Sequence, residues 1–300
     1  EIFNNEYAYF SSYSNSWLEH AFRYVEDITL ELGLNQESFV TEIASNDGYL
    51  LKNFIDKKIP CLGIEPTQNT ALEAQKKGIE TITDFFSFAL SKKLQKSDLI
   101  ICNNVLAHVP DINDFIKGLK NLLLPKGTIT IEFPHLLSLI KYFQFDTIYH
   151  EHYSYLSLYS TKRIFEKFGL TIYKVDSLST HGGSLRVFVS HVENKNPIDK
   201  TVNDILNLEL KFGLNNLKTY EKFKNDVFNL KHQALNFLFK EKKKNKKIIA
   251  YGAAAKGNTF LNYCGIGNEF IDFVVDRSKF KQGKYLPGNN IPIVSEEKLI

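Results

Sequence analysis

The sequence of 300 residues lacks the features of several specialised protein classes. Its only cysteines, Cys61, Cys102 and Cys264, are odd in number and widely separated, so we expect reduced, buried thiols, no disulfide scaffold and no structural metal. No apolar run approaches the roughly 18 residues of a membrane span, and the formal net charge is only +3. We therefore expect neither a membrane nor a nucleic acid as partner.

The N-terminal ten residues, EIFNNEYAYF, lack the basic and then apolar layout of a secretory signal, so we expect a cytoplasmic protein. Methionine is absent even at position 1. The last ten residues, IPIVSEEKLI, are typical of a strand followed by the opening of a helix. We therefore expect the chain to be a piece cut at both ends. No pattern indicates an oligomeric state.

Short β-rich runs alternate with helical patterns in the N-terminal half of the chain. A strand, a glycine turn and a helix are predicted within 38–54, and the further strand candidates are Cys61–Pro66, Asp98–Val109 and Gly127–Phe133. Apolar residues recur at helical spacing in Phe22–Leu34, Asn69–Lys77 and Ile112–Leu124. Alternation of this kind predicts an α/β fold with a doubly wound, parallel sheet.

In the C-terminal half, the alternation of strand and helix patterns gives way to a strand pair and a long helical stretch. The runs Leu170–Leu178 and Ser184–Val192 flank a glycine turn and predict an antiparallel pair at a sheet edge. A long helical stretch follows over Thr201–Lys247, and a second strand, glycine turn and helix begin at Ile248. We therefore expect a helical connector and the start of a second βαβ domain.

The first glycine turn, Glu42–Gly48, has neither G-x-G-x-x-G nor the Lys-Ser/Thr pair of a phosphate loop. Glu65 follows Gly48 by seventeen residues, where an acidic residue commonly binds ribose hydroxyls. Because no pyrophosphate is indicated and Glu42 can face a cation, S-adenosylmethionine fits better than NAD, with Asp84 and Phe85 as candidate adenine neighbours. The competing interpretation is an ordinary turn followed by a surface glutamate.

The segment FDTIYHEHYSYLS is dense in titratable groups. If it is extended, Tyr149, Glu151 and Tyr153 share one face and His150 and His152 the other. Histidine, glutamate and tyrosine can remove a proton beside a ketone and hold the enolate oxygen that develops. The histidines are two apart rather than four apart on a helix, so a zinc site is disfavoured, whereas ordinary core aromatics remain an alternative.

Six segments, in this order, resemble the sugar C-methyltransferases that act on nucleotide-linked deoxy sugars: EIASNDGYLL, GIEP, DLIICNNVLAHVPD, FDTIYHEHYSYLS, THGGSLRV and YGAAAKGNTFLNYC. The resemblance implies a doubly wound Rossmann-like methyltransferase domain, a helical connector and a second, truncated Rossmann-like domain. The implied boundaries are 1–30 for a segment after a missing zinc-binding module, 31–195 for the methyltransferase domain, 196–247 for the connector and 248–300 for the start of the C-terminal domain.

The resemblance also implies roles for individual residues. The candidate cofactor residues are Glu42, Ala44, Asn46, Gly48, Glu65, Asp84, Phe85, Asn103 and His108. The candidate catalytic residues are His152 as the base, with Glu151, Tyr149 and, from the N-terminal segment, Tyr9. No metal ligand is implied for this chain.

Candidate substrate-binding residues lie at two other glycine turns. The resemblance implies that His181, in the turn between two strands, and Arg186 lie near the substrate sugar. The alternative is a hairpin whose glycines adopt positive φ, which by itself explains this turn. In the second βαβ pattern, Asp276 follows Gly257 by nineteen residues, a spacing closer to a dinucleotide fingerprint than that of the first turn. Lys256 is a candidate phosphate ligand there, and a Rossmann unit that serves only packing is the alternative.

The hypothesis that results is an S-adenosylmethionine-dependent enzyme that methylates carbon 3 of a nucleotide-linked 4-keto deoxy sugar through an enolate. One alternative is O-methylation of a surface-polysaccharide sugar, which needs no enolate. Others are an NAD-dependent sugar-nucleotide oxidoreductase and a non-catalytic nucleotide-sugar binding module. The missing G-x-G-x-x-G disfavours the oxidoreductase, and Tyr149, Glu151 and His152 disfavour the passive binder.

Overall fold

The computed structural model describes residues 9–299, which form two compact units. The first unit consists of residues 9–136 together with Tyr153–Leu210. The second consists of Leu137–His152 and residues 211–299. The predicted domain boundaries stay predictions.

The described residues form ten strands and ten α-helices. The strands are β1 (Val40–Ile43), β2 (Cys61–Ile64), β3 (Thr81–Ile82), β4 (Ser97–Asn103), β5 (Leu123–Pro134), β6 (Leu170–Leu178), β7 (Ser184–His191), β8 (Ile249–Tyr251), β9 (Phe273–Val275) and β10 (Ile293–Val294). The α-helices are α1 (Asn15–Leu32), α2 (Leu51–Asp56), α3 (Gln68–Lys76), α4 (Phe88–Ser91), α5 (Ile112–Leu122), α6 (Leu136–Lys141), α7 (Leu158–Lys167), α8 (Lys200–Phe212), α9 (Leu217–Lys242) and α10 (Ala255–Cys264). Single 3₁₀ turns lie at Ser11–Tyr13, Leu106–His108, Phe145–Thr147, Thr180–Gly182, Val192–Asn194 and Glu296–Leu299.

The first unit is built on a seven-stranded mixed sheet in the order β3-β2-β1-β4-β5-β7-β6. Strands β1 to β5 pair in parallel, whereas β7 is antiparallel to both β5 and β6. The doubly wound α/β fold and the antiparallel pair at the sheet edge are therefore confirmed. Because parallel strands run in one direction, the residues that follow β1, β2 and β4 meet at one edge of the sheet, which we call the carboxyl edge.

Two apolar cores cover the faces of this sheet. Leu99 and Ile101 pack with α1 and α2, whereas Ile100 and Cys102 pack with α5 and α7. Side chains alternate between the faces of a strand, so the near-continuous apolar run of β4 is explained by helices on both sides. This layering leaves the carboxyl edge as the place where polar side chains collect.

The second unit contains a three-stranded parallel sheet in the order β10-β9-β8, with α9 and α10. Leu238, Leu261 and Val274 lie in its apolar core. The helical stretch predicted over Thr201–Lys247 is divided between α8 and α9 by Gly213, which has φ +88°. Asn216 then caps α9, because its side-chain oxygen accepts the Lys218 amide N–H at 3.0 Å.

All three thiols are buried and unpaired. Among residues 9–299, no group of three histidine, cysteine, aspartate or glutamate side chains is placed to hold a metal ion. In the same part of the chain, none of the helices is both long and apolar enough to cross a membrane.

Candidate active site

The turn after β1 contains three left-handed residues at alternate positions, Ala44, Asn46 and Gly48, with φ of +56°, +51° and +74°. Glycine adopts this conformation freely, but a residue with a Cβ does so at a cost of roughly 1–2 kcal/mol. Ala44 and Asn46 therefore hold the turn in a strained shape, which is typical of ligand-binding loops. The predicted cofactor residues of this turn do lie together.

Gly48 is required for packing as well as for its φ. A Cβ at this position would lie 2.3 Å from Ile79 Cδ1 and 3.1 Å from Ala74 Cβ. Gly33, the left-handed residue after α1, has φ +62° and no heavy atom within 4 Å of such a Cβ. The two glycines thus differ in close packing but not in backbone conformation.

We expect Gly48→Ala to lower the free energy of unfolding by about 2–5 kcal/mol, since it adds a packing clash to the left-handed penalty. Gly33→Ala, the matched control, should cost only about 1–2 kcal/mol. Urea denaturation of both variants measures the difference. Equal losses would show that the turn tolerates a side chain at position 48.

Residues near the N-terminus, together with Lys77 at the end of α3, are hydrogen-bonded to the strained turn. The Ser11 amide N–H donates to Asn46 Oδ1 at 2.9 Å, and Asn46 Nδ2 donates to the Tyr9 carbonyl at 3.2 Å. The Ser12 hydroxyl donates to Asp47, and Lys77 Nζ donates to the Asp47 carbonyl at 2.7 Å. The predicted site residue Tyr9 is thus brought to the turn by its backbone, while its side chain is 53% exposed.

Glu65 lies directly after β2 and is buried against the same turn. Its Oε2 accepts the Asn46 amide N–H at 2.9 Å, and its Oε1 accepts the Thr67 amide N–H at 2.9 Å and the Thr67 hydroxyl. These bonds fix the carboxylate at the carboxyl edge. The structure therefore brings together Glu65 and Asn46, which the sequence placed in one cofactor site.

Buried polar atoms without a protein partner collect at the ends of β1 and β4. These atoms are Glu42 Oε2, Ser45 Oγ, Asp47 Oδ1, Asn103 Oδ1 and Asn104 Oδ1. Buried polar atoms are nearly always hydrogen-bonded, so such a group indicates a ligand or water at this edge. These residues fit a polar, nucleoside-like ligand such as S-adenosylmethionine.

Glu42 is the most perturbed carboxyl group of this edge. Burial, together with the nearby charges of Glu65 and Asp47, raises its pKa well above the ordinary value. The group therefore holds its proton more tightly than a carboxyl group in water. A cation beside it would favour the ionised form, which is the environment expected for a sulfonium.

The other predicted cofactor residues differ in their surroundings. Asn103 ends β4, and its Oδ1 is one of the buried atoms without a protein partner. His108 ends the 3₁₀ turn after β4 and is half-buried. Asp84 accepts the Phe85 amide N–H at 2.7 Å, and the Phe85 ring is 58% exposed, so this pair lies on the surface after β3.

The candidate acid–base residues Tyr149, Glu151 and His152 belong to the second unit, and their backbone is not extended. The His152 amide N–H donates to the Tyr149 carbonyl at 3.0 Å, and the two rings lie 4.5 Å apart. Tyr149 and His152 therefore lie side by side in a turn, so the opposite faces expected of an extended segment do not apply. The preceding 3₁₀ turn is anchored by Phe145, whose ring lies 4.9 Å from that of Tyr263.

The orientation of the His152 ring follows from one hydrogen bond. Nδ1 lies 2.7 Å from the Thr147 carbonyl oxygen. A carbonyl only accepts, so Nδ1 carries the hydrogen and, in the neutral ring, the lone pair is on Nε2. This tautomer suits a general base.

His181 and Arg186, the predicted substrate residues of the first unit, have different environments. His181 is an exposed left-handed residue with φ +51°, and its ring lies 5.2 Å from that of Trp17. Arg186 is only 7% exposed, and its Nε donates to Glu132 Oε1 at 2.8 Å. The hairpin thus presents the histidine outward and buries the arginine in an ion pair.

The sequence interpretation missed the residues around this ion pair, namely Trp17, His20, Tyr49 and Glu132. His20 Nε2 lies 3.1 Å from Glu132 Oε2. Burial by itself would raise the pKa of Glu132, but the hydrogen bond from His20 and the charge of Arg186 hold it below its ordinary value. A glutamate inside the apolar run GTITIEF was the one available signal.

The second glycine turn lies in the second unit, between β8 and α10. The Ala253 amide N–H donates to Asp276 Oδ2 at 2.7 Å, and the Ser278 amide N–H donates to Oδ1 at 2.8 Å. Burial alone would raise the pKa of Asp276, but these donors hold it below its ordinary value. Lys256, the second residue of α10, is half-buried.

Comparisons with known proteins agree with this architecture. A family model described as a methyltransferase domain matches residues 17–175, and one described as a C-methyltransferase C-terminal domain matches residues 179–300. The C-methyltransferase NovU of Streptomyces niveus is 32% identical over 302 aligned positions, which cover 99% of this chain and 72% of that protein.

A solved structure has a similar fold over part of the chain. The crystal structure of the PH0226 protein from Pyrococcus horikoshii OT3 superimposes with a TM-score of 0.50 at 13% identity, over 61% of this chain and 94% of that chain. The chain belongs to the S-adenosylmethionine-dependent C-methyltransferases.

Proposed function

We propose that this enzyme methylates carbon 3 of a nucleotide-linked 4-keto deoxy sugar through an enolate. The observation that carries the proposal is the His152 ring, whose Nδ1–H is held by the Thr147 carbonyl beside the Tyr149 ring. Carbon methylation requires a base to create the nucleophile, and a histidine whose Nε2 carries the lone pair can act as one near neutral pH.

The proposed chemistry divides between the substrate and the chain. A 4-keto group acidifies the C–H bond at carbon 3, and His152 takes that proton. Tyr149 and Glu151 are proposed to orient the base or to hold the enolate oxygen, with Tyr9 in a supporting position. When bound, S-adenosylmethionine supplies the electrophilic methyl group.

The proposed cofactor site lies at the carboxyl edge of the first unit. Glu65 would accept the ribose hydroxyls, and Glu42 would face the positive charge of the ligand, consistent with its unpartnered Oε2. Asn103 and His108 are proposed to line the methionine side. Asp84 and Phe85 are proposed as adenine neighbours.

A panel of 4-keto-6-deoxyhexoses linked to thymidine, uridine and guanosine diphosphate tests the proposal. The enzyme receives each sugar with cofactor carrying a ¹³C-labelled methyl group, and NMR locates the label. We expect one member of the panel to gain a methyl group on carbon 3. A label on oxygen would replace the proposal with O-methylation, and calorimetry showing binding of NAD but not of S-adenosylhomocysteine would replace it with an oxidoreductase.

The second glycine turn is proposed to bind the diphosphate of the substrate through Lys256. We expect Lys256→Ala to raise the KM for the nucleotide sugar about tenfold, because a charge-assisted hydrogen bond is lost, and to leave S-adenosylhomocysteine affinity unchanged. Lys279→Ala removes an exposed lysine of the same unit and serves as the control. Equal KM values for the two variants would favour a unit that serves only packing.

A further inference from the structure

Two aromatic side chains of α1, Trp17 and His20, meet that of His181, from the turn before β7, at the carboxyl edge of the sheet. The Trp17 ring lies 5.0 Å from that of His20, with an angle of 22° between their planes, and 5.2 Å from that of His181. Beneath them, Glu132 is paired in register with Asn103, the last residue of β4. The rings therefore lie at the edge where ligands of such sheets bind.

Trp17 is held in place from the side of the cofactor turn. Its ring stacks on that of Tyr49, with 6.2 Å between the two ring centroids. Tyr49 is 6% exposed and directly follows Gly48 of the turn. A ligand on the Trp17 ring would thus have a fixed position relative to the cofactor site.

His20 is oriented by a buried ion pair. Its Nε2 lies 3.1 and 3.2 Å from the two Glu132 oxygens, and a carboxylate only accepts, so Nε2 carries the hydrogen. In the neutral ring, Nδ1 is then a hydrogen-bond acceptor. Arg186 Nη2, 3.3 Å from Nε2, also donates to Glu132 and keeps that carboxylate ionised.

The Glu132–Arg186 ion pair is expected to contribute little to the free energy of folding. Glu132 is fully buried and Arg186 is 7% exposed, and desolvating two such charges commonly offsets their attraction. Fixing the tautomer and orientation of His20 gives the pair a function, just as carboxylates orient the histidines of many active sites.

We propose that Trp17, His20 and His181 form a sugar-binding surface on which His20 Nδ1 accepts a hydrogen bond from a ring hydroxyl. This inference rests on the proposed function, because it assigns the sugar of the nucleotide sugar to this surface. A stacked indole suits the C–H face of a sugar, and a neutral acceptor suits a hydroxyl donor. Nδ1 and the oxygens of an ionised diphosphate are both acceptors and cannot form a hydrogen bond with each other. The diphosphate is therefore not the group recognised here.

The fluorescence of Trp17 provides a direct readout, since it is the one tryptophan of the chain. The enzyme is titrated with each sugar of the 4-keto-6-deoxyhexose panel and with the matching nucleoside diphosphate. We expect the substrate sugar to change Trp17 emission with saturation and the diphosphate to leave it unchanged. Methylation of a panel sugar that leaves the emission unchanged would overturn the assignment.

His20→Gln separates ligand binding from a structural role. A glutamine amide can still donate to Glu132 but presents no acceptor equivalent to Nδ1. We expect the KM for the nucleotide sugar to rise about threefold to tenfold, because one neutral hydrogen bond to the substrate is lost. The kcat should stay within about twofold of the native value. His232→Gln on α9 is the control, and S-adenosylhomocysteine affinity reports that the variant is folded.

The outcomes also separate this inference from the proposed reaction. Unchanged KM in His20→Gln, with methylation intact, overturns the His20 assignment and leaves the reaction standing. A saturable Trp17 response to a panel sugar without methylation supports the surface and removes the proposed reaction. Neither response nor methylation, in protein that binds S-adenosylhomocysteine, rejects both.

Discussion

Glu65→Ala is expected to weaken S-adenosylhomocysteine binding about tenfold to a hundredfold. A carboxylate can accept hydrogen bonds from both ribose hydroxyls, and a hydrogen bond to a charged group contributes about 1.5–3 kcal/mol. Calorimetric titration of both proteins measures the change. The substitution also removes the acceptor of the Asn46 and Thr67 amide N–H groups, so part of the loss could arise from the turn itself.

A comparison of two ligands separates these contributions. S-adenosylhomocysteine and its 2′-deoxyribose analogue differ by one hydroxyl group, and a ribose-binding Glu65 makes the native enzyme prefer the first. We expect this preference to disappear in Glu65→Ala, as in a double-mutant cycle, because both ligands then meet the same disturbed turn. A preference that survives the substitution would contradict the ribose assignment.

The regular elements were predictable because their signals are local. Periodicity placed a helix over Ile112–Leu124, which the structure ends at Leu122, and the strand Leu170–Leu178 has the predicted bounds. The β-rich run Asp98–Val109 predicts one strand, but β4 ends at Asn103, and Asn104 turns the chain with φ +56°. An apolar run alone does not show where a left-handed residue interrupts it.

In the cofactor turn, long-range hydrogen bonds stabilise left-handed positions that are ordinarily occupied by glycine. A strained turn after a strand is ordinarily recognised by its glycines, and this one has glycine only at position 48. Asn46 is left-handed, yet its side chain is hydrogen-bonded to Ser11 and Tyr9, more than thirty residues away. Contacts at that separation offset the strain, and no local pattern reveals them.

The His20–Glu132 pair was missed for the same physical reason. The two residues are 112 positions apart and meet only because α1 packs on the sheet. From the sequence, His20 is one polar position of an amphipathic helix, and polar helix positions ordinarily face solvent. Only the buried glutamate in β5 indicated that a partner was needed.

The segment around His152 has no hydrophobic periodicity that would distinguish a strand from a turn. Its aromatic and charged residues fit a strand or a turn, and long-range packing decides between them. The Phe145 ring is buried against Phe260 and Tyr263 of α10, so the following residues bend back on a 3₁₀ turn. The cluster of residue types was visible in the sequence, whereas the pairing of Tyr149 with His152 was not.

His152→Gln is expected to reduce methylation of a 4-keto nucleotide sugar by about a hundredfold to ten-thousandfold, the range that a general base contributes. Glutamine keeps hydrogen-bonding groups but cannot take a proton at this pH. S-adenosylhomocysteine binding should be unchanged, which calorimetry measures. Glu151→Gln, in which only an orienting group is altered, should lose less, and His150→Gln, an exposed histidine of the same segment, should keep its activity.

Proton exchange isolates the step assigned to His152 from methyl transfer. In deuterated water without cofactor, the native enzyme should replace the carbon 3 proton of its substrate by deuterium, because proton removal does not require the methyl donor. His152→Gln should lose this exchange together with methylation, and NMR of the recovered sugar measures the exchange. Wild-type exchange in the variant would move the base to another residue. Loss of methylation with exchange intact would instead assign His152 to positioning of the enolate.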